Sequence, residues 1–155
     1  MNRVAVFPGS FDPITVGHVD IISRALPLFD KVIIGIGINS QKKYLFPLEQ
    51  RINCIKKVFE QDPKIEIESY SGLTVKFCEQ KNASFILRGL RSSSDFQFER
   101  AIAQMNQSMK PNIETIFILA NPSLAAVTSS IVRDIYVNDG DISQFIPQEI
   151  VKLLR

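Results

Sequence analysis

The stretch "RVAVFPGSFDPITVGHVDIISRAL" (residues 3–26) decides the fold. Val4 to Phe7 form an almost unbroken apolar run, as expected of a strand covered on both faces. Pro8-Gly9-Ser10 and Asp12-Pro13 interrupt it. Val19, Ile22, Leu26 and Phe29 then recur at helical spacing after Gly17-His18. His18 is the only histidine of the chain. It stands where the loop becomes a helix, with no second histidine or cysteine pair to make it a metal ligand.

The same alternation continues outward. "KVIIGIGI" (31–38), "KIEIESY" (64–70), "SFIL" (84–87) and "ETIFIL" (114–119) read as strands, and "KIEIESY", which alternates, suits a sheet edge. Helices are predicted from Pro47, burying Leu48, Ile52, Ile55 and Phe59, and over about Leu73–Gln80 and Ser94–Met109. Another follows Ser129-Ser130, and the tail "PQEIVKLLR" reads as a last short helix. No repeat, low-complexity tract or linker divides the chain. The expectation is one α/β domain over residues 1–155, Rossmann-like and doubly wound, with a five-stranded parallel sheet flanked by helices. Ligands of such sheets bind beyond the carboxyl ends of the strands, at the switch in strand order.

Composition sets outer bounds. The chain has 155 residues, 45% hydrophobic and 22% charged, which suits a soluble globular protein. Its net charge of +2 does not point to nucleic acid. No apolar run reaches membrane-span length and no leader is evident, so a cytoplasmic protein without membrane contact is expected. Cys54 and Cys78 lie far apart among apolar residues and read as buried small side chains.

Four loops beyond the predicted strand ends each offer something to a phosphate. Gly9 and Ser10 present backbone amides next to His18 at a helix start. "NSQKKYLF" (39–46) brings Lys42 and Lys43; loop lysines are ordinarily solvated, but one could reach a phosphate as a mobile charge. Arg88 and Arg91 follow the fourth predicted strand, and guanidinium suits phosphate by two parallel hydrogen bonds. Asp95 and Glu99 share one face of the next helix and could simply pair with those arginines. Thr128, Ser129 and Ser130 precede a helix; one is its N-cap, and the free amides suit a triphosphate. No Ser-His-Asp set and no His, Cys or Asp cluster for a metal accompanies them.

"PGSFDPITVGH" (8–18), "RGLR" (88–91) followed by "DFQFE" (95–99), and "TSSIVR" (128–133) together resemble the bacterial phosphopantetheine adenylyltransferase family, within the nucleotidyltransferases marked by T/HxGH. The resemblance runs from Val4 to the C-terminal segment. It implies transfer of AMP from ATP to 4'-phosphopantetheine, giving dephospho-coenzyme A and pyrophosphate, with magnesium, and a homohexamer to which coenzyme A can bind as product-like or feedback ligand. It further implies that Ser10, Lys42, Thr74 and Arg88 meet phosphopantetheine. Ser10, Phe11, His18, Gly89, Leu90, Arg91, Glu99 and the stretch Leu124, Ala125, Ala126, Val127, Thr128, Ser129 and Ser130 would meet ATP. Three departures stand out: serine at position 10 where threonine is usual, Val127-Thr128-Ser129-Ser130 for Ile-Ser-Ser-Ser, and no aromatic residue in "NPSLAA" (121–126).

The catalytic expectation centres on His18, Lys42 and Arg91. His18 donates to the α-phosphate, Lys42 and Arg88 hold the incoming phosphate, and Arg91 with the Ser129-Ser130 helix start steadies pyrophosphate. Glu99 is expected to position either ATP or its ion. Magnesium is expected on ATP phosphates and water, because no carboxylate cage is evident. Competing readings are a TxGH transferase for nicotinate mononucleotide or for a phosphorylated alcohol with CTP, a non-catalytic nucleotide sensor, and a flavodoxin-like carrier. "RGLR" with "DFQFE" opposes the first, the pairing of His18 with Lys42 the second, and the lack of Trp the third.

Overall fold

A computed structural model describes residues 2–154. Along the chain it places β1 (Val4–Gly9), α1 (Val16–Ala25), β2 (Lys31–Ile38), α2 (Leu48–Val58), β3 (Ile65–Ser71) and α3 (Thr74–Gln80). After these come β4 (Phe85–Leu90), α4 (Ser93–Met109), β5 (Glu114–Leu119) and α5 (Ser129–Val137). All five strands are parallel, in the order β3-β2-β1-β4-β5. The order reverses between β1 and β4, so the crevice expected of such a sheet opens beyond Gly9 and Leu90. The alternating segment is indeed an edge strand, β3.

Helices cover both faces because successive strand residues point opposite ways. Ala5, Phe7, Val32, Ile34 and Leu87 pack with Ile22 of α1 and Ile55 of α2. Val4, Val6, Ile33 and Ile86 pack with Val75, Phe77 and Cys78 of α3. Cys54 and Cys78 are buried free thiols, as expected. On the second face α4 buries only Glu99 among its own residues, and Phe98, Ile102, Met105 and Met109 stay exposed.

Several boundaries differ from the sequence reading. β4 continues through Leu90, because its ladder with β5 pairs Arg88 with Phe117 and Leu90 with Leu119, so Arg88 lies within the strand rather than after it. Pro47 is the N-cap of α2, not a residue of its first turn. Pro27 ends the α-helical part of the first helix, and Leu26–Leu28 form a 3₁₀ turn. The tail is also 3₁₀, Gln148–Leu153, and its last expected residue, Arg155, lies outside the described residues.

Candidate active site at the switch point

Two cavities meet at the β1/β4 switch. One, of about 420 Å³, is lined by Ser10, Lys42, Thr74 and Arg88 together with Tyr44, Tyr70, Glu99 and part of α4. The other, of about 180 Å³, is lined by His18, Gly89, Arg91, Leu124, Val127, Thr128 and Ser129. Pro8, Gly9 and Arg88 line both.

His18 is held by its own helix start. Thr15 is the N-cap of α1; its hydroxyl accepts from the His18 amide, and the Thr15 amide donates to His18 Nδ1 at 3.0 Å. This is a capping box with imidazole in the place usually taken by Glu or Gln. Since Nδ1 accepts a backbone N–H, the ring proton of the neutral form belongs on Nε2. The ring packs against Phe11 with centroids 5.1 Å apart. Phe11 adopts φ 48°, a left-handed conformation uncommon for a bulky residue, and its ring lies where a Cβ on Gly9 would come within 3.0 Å. Desolvation, then Arg91 and Arg88, push the His18 pKa down to about 4. The imidazole is therefore a neutral hydrogen-bond donor at pH 7.

The arginines are both committed to carboxylates. Arg88 makes a two-point pair with Glu99, Nε–H to Oε2 at 2.9 Å and Nη2–H to Oε1 at 2.5 Å, and donates from Nη1 to the Pro8 carbonyl at 2.8 Å. Arg91 donates from its amide and from Nε to Asp95 Oδ2, at 3.1 and 3.3 Å. Glu99, one of the two carboxylates set against the arginines, thus lines the larger cavity with Arg88 rather than the smaller one with His18.

Of the residues expected at ATP, Ser10 lines the larger cavity and Phe11 lies buried beneath His18. Leu90, Ala125, Ala126 and Ser130 line neither cavity. Thr128 is the N-cap of α5, and Ser129 Oγ donates to the Pro13 carbonyl at 2.8 Å, fastening α5 to the Gly9–Pro13 turn. The four residues expected at phosphopantetheine all face one cavity.

Sequence reasoning missed Tyr70, whose hydroxyl is 2.8 Å from Thr74 Oγ1 and whose ring stacks on Phe77 at 4.4 Å. It also missed Asp12 and Arg51, buried beneath the crevice loops. Asp12 was visible inside "PGSFDP"; nothing in the sequence marked Arg51. Among the described residues no group of three or more His, Cys, Asp or Glu is gathered as for a metal ion.

A neutral imidazole donor and two arginines at the switch point of a parallel sheet are the equipment of a nucleotidyltransferase. Residues 6–135 match the cytidylyltransferase-like family, which defines the same class. The fold is shared with a solved structure assigned to a nicotinate-nucleotide adenylyltransferase of Vibrio parahaemolyticus (TM-score 0.75, 18% identity, 99% of this chain and 92% of that one). Identity that low shows the fold alone. Relatives are far nearer in sequence: phosphopantetheine adenylyltransferase of Flavobacterium psychrophilum is 51% identical over 96% of this chain and 97% of its own length. That of Leptospira biflexa is 46% identical, over 99% and 96%. The chain belongs to the phosphopantetheine adenylyltransferase family.

Proposed function

We propose that the enzyme transfers AMP from ATP to 4'-phosphopantetheine by direct in-line displacement, releasing dephospho-coenzyme A and pyrophosphate. The observation that carries this reading is the pair of adjoining cavities with Arg88 in their common wall, Lys42 in one and His18 in the other. Phosphopantetheine takes the larger cavity and ATP the smaller. The nucleophile is a phosphate oxygen of phosphopantetheine, largely ionised near pH 7 because the second pKa of such a phosphate is about 6. That oxygen bonds to the α-phosphorus, the bond to the bridging oxygen breaks, and pyrophosphate leaves with the electron pair. No general base is needed.

The enzyme's contribution is charge and placement. His18 Nε2–H donates to an α-phosphate oxygen. Lys42 and Arg88 hold the attacking phosphate, and Arg91 with the amides at the start of α5 receives pyrophosphate. Asp95 and Glu99 orient the two arginines. Because those carboxylates are already paired, magnesium is best held by ATP oxygens and water, screening phosphate charge.

Self-association, as a homohexamer, is part of the proposal. It would cover the exposed apolar side chains of α4, among them Phe98 at 68% and Met105 at 64% exposure. Coenzyme A, which keeps the product's framework, is proposed as a feedback ligand of the same cavities. No described helix is long and apolar enough to cross a membrane, and the buried free thiols suit the cytoplasm proposed here.

The test is pyrophosphate release from ATP and magnesium, with 4'-phosphopantetheine or nicotinate mononucleotide as acceptor. Release is expected only with phosphopantetheine. His18→Ala should lower kcat on the order of a hundredfold or more while leaving ATP affinity nearly unchanged. Release with nicotinate mononucleotide, or lost ATP binding at normal turnover, would overturn the proposal.

A further inference from the structure

Lys42 is carried on the connection between β2 and α2, and three side chains hold that connection without touching the Lys42 ammonium. Tyr44 closes its neck: Tyr44 Oη accepts from the Asn39 amide at 2.9 Å and donates to the Gly37 carbonyl at 3.3 Å. Asp12, 2% exposed, accepts from the Leu45 amide on one carboxylate oxygen and from the Phe46 amide on the other, both at 2.8 Å. Arg51, 3% exposed, donates from Nε to the Phe46 carbonyl at 3.1 Å and from Nη1 to the Ser10 carbonyl at 2.7 Å. Its guanidinium carbon lies 4.1 Å from the centre of the Tyr44 ring.

A buried guanidinium is costly unless its charge and its N–H groups are met. Among the described residues Arg51 has no carboxylate within direct ion-pair distance; two carbonyls and an aromatic face meet its N–H groups and ring-facing side, and the nearby Asp12 charge favours its charged form. Those carbonyls belong to two loops that line the larger cavity, Ser10 on one and Lys42 on the other. A helix staple alone would not need to join them. Lysine is a point charge on a flexible four-carbon stem, so its use to a phosphate depends on where its backbone is anchored.

We infer that Tyr44 is a positioning residue for Lys42, and that Tyr44, Arg51 and Asp12 form a clasp fixing Lys42 relative to Ser10. The inference rests on the reading of the larger cavity as the acceptor site. Tyr44 suits the test best. Its hydroxyl bonds only exposed or half-exposed backbone groups that water can satisfy, and its ring can stay over Arg51 when the hydroxyl is removed.

The experiment compares Tyr44→Phe, Lys42→Ala and the double variant by KM for phosphopantetheine, KM for ATP, kcat and Tm. Tyr44→Phe should raise KM for phosphopantetheine about fivefold, equivalent to about 1 kcal/mol, with Tm nearly unchanged. KM for ATP should stay within about twofold, because uniform damage would move both. In the Lys42→Ala background the second substitution should add nothing, the signature of two residues acting through one contact. An unaltered phosphopantetheine KM in Tyr44→Phe, an equal rise for both substrates, or full additivity with Lys42→Ala would each overturn the inference. Should Lys42→Ala itself leave that KM untouched, the acceptor-site reading falls and the inference with it.

Discussion

At the residue scale, His18 is made a donor by what it accepts. The Thr15 amide occupies Nδ1, and desolvation with two nearby guanidinium groups keeps the ring neutral. Stability should record this. The folded pKa of about 4 lies below the ordinary value of 6.5, so between those values the unfolded chain takes a proton that the folded one refuses. The contribution is whole above pH 6.5 and is lost as pH falls through this window, by at most about 3 kcal/mol. Urea midpoints taken from pH 7 to pH 4 should therefore fall less steeply in His18→Gln than in the parent, and parallel curves would contradict it. On the proposed placement of ATP in the smaller cavity, its polyphosphate would oppose the arginine field, so ATP binding at pH 5 should draw a proton onto His18. Calorimetry in buffers of different ionisation enthalpy measures that uptake. The placement of His18 at a helix start beside the crevice was legible because a lone imidazole followed a Gly-Ser turn and a TxGH spacing. Pairing of the arginines with Asp95 and Glu99 was also open to the sequence, but not which meets which: Glu99 lies eleven positions from Arg88, and the tight β4–α4 connection brings the two together.

At the element scale, helix starts organise the site. Thr15 and Thr128 cap α1 and α5, and both capped ends face the smaller cavity. Thr15→Val removes a hydroxyl cap worth about 1 kcal/mol, which for a chain of this size lowers Tm by about 2–4 °C. Thr15→Ser should restore most of it; equal melting of the two variants would deny the cap its part. Strands were readable because continuous β-branched runs leave few alternatives, and β2 was predicted at its observed bounds. β4 was cut short for a physical reason. Hydropathy stops at Leu87, but backbone pairing with β5 does not depend on side-chain polarity and carries Arg88 and Gly89 into the sheet. Gly89 is favoured there, since a Cβ would crowd the Ile21 side chain of α1 at 3.1 Å. Contacts such as Arg51 to Ser10, forty-one positions apart, leave no periodic trace in a sequence.

At the scale of the whole molecule the two sheet faces are unequal. The face under α1 and α2 is densely buried, whereas the α4 and β5 side leaves Phe98, Met105 and Leu119 exposed. Under the proposed self-association, Met105→Glu should shift the protein to smaller species in sedimentation velocity while leaving the far-ultraviolet dichroism of the fold intact; an unchanged sedimentation coefficient would contradict a subunit contact on this face. Within one subunit, the wall between the cavities has its own consequence. Arg88 lines both compartments, so under the proposed function the two bound anions would draw on one cation. Two anions that draw on one cation each weaken the other's hold, and linkage makes that antagonism equal in both directions. On the proposed placement, whichever anion arrives first would loosen the berth of the second, and that strain would be relieved when the phosphoanhydride forms, pyrophosphate leaves and the joined diphosphate shares the cation as a single ligand.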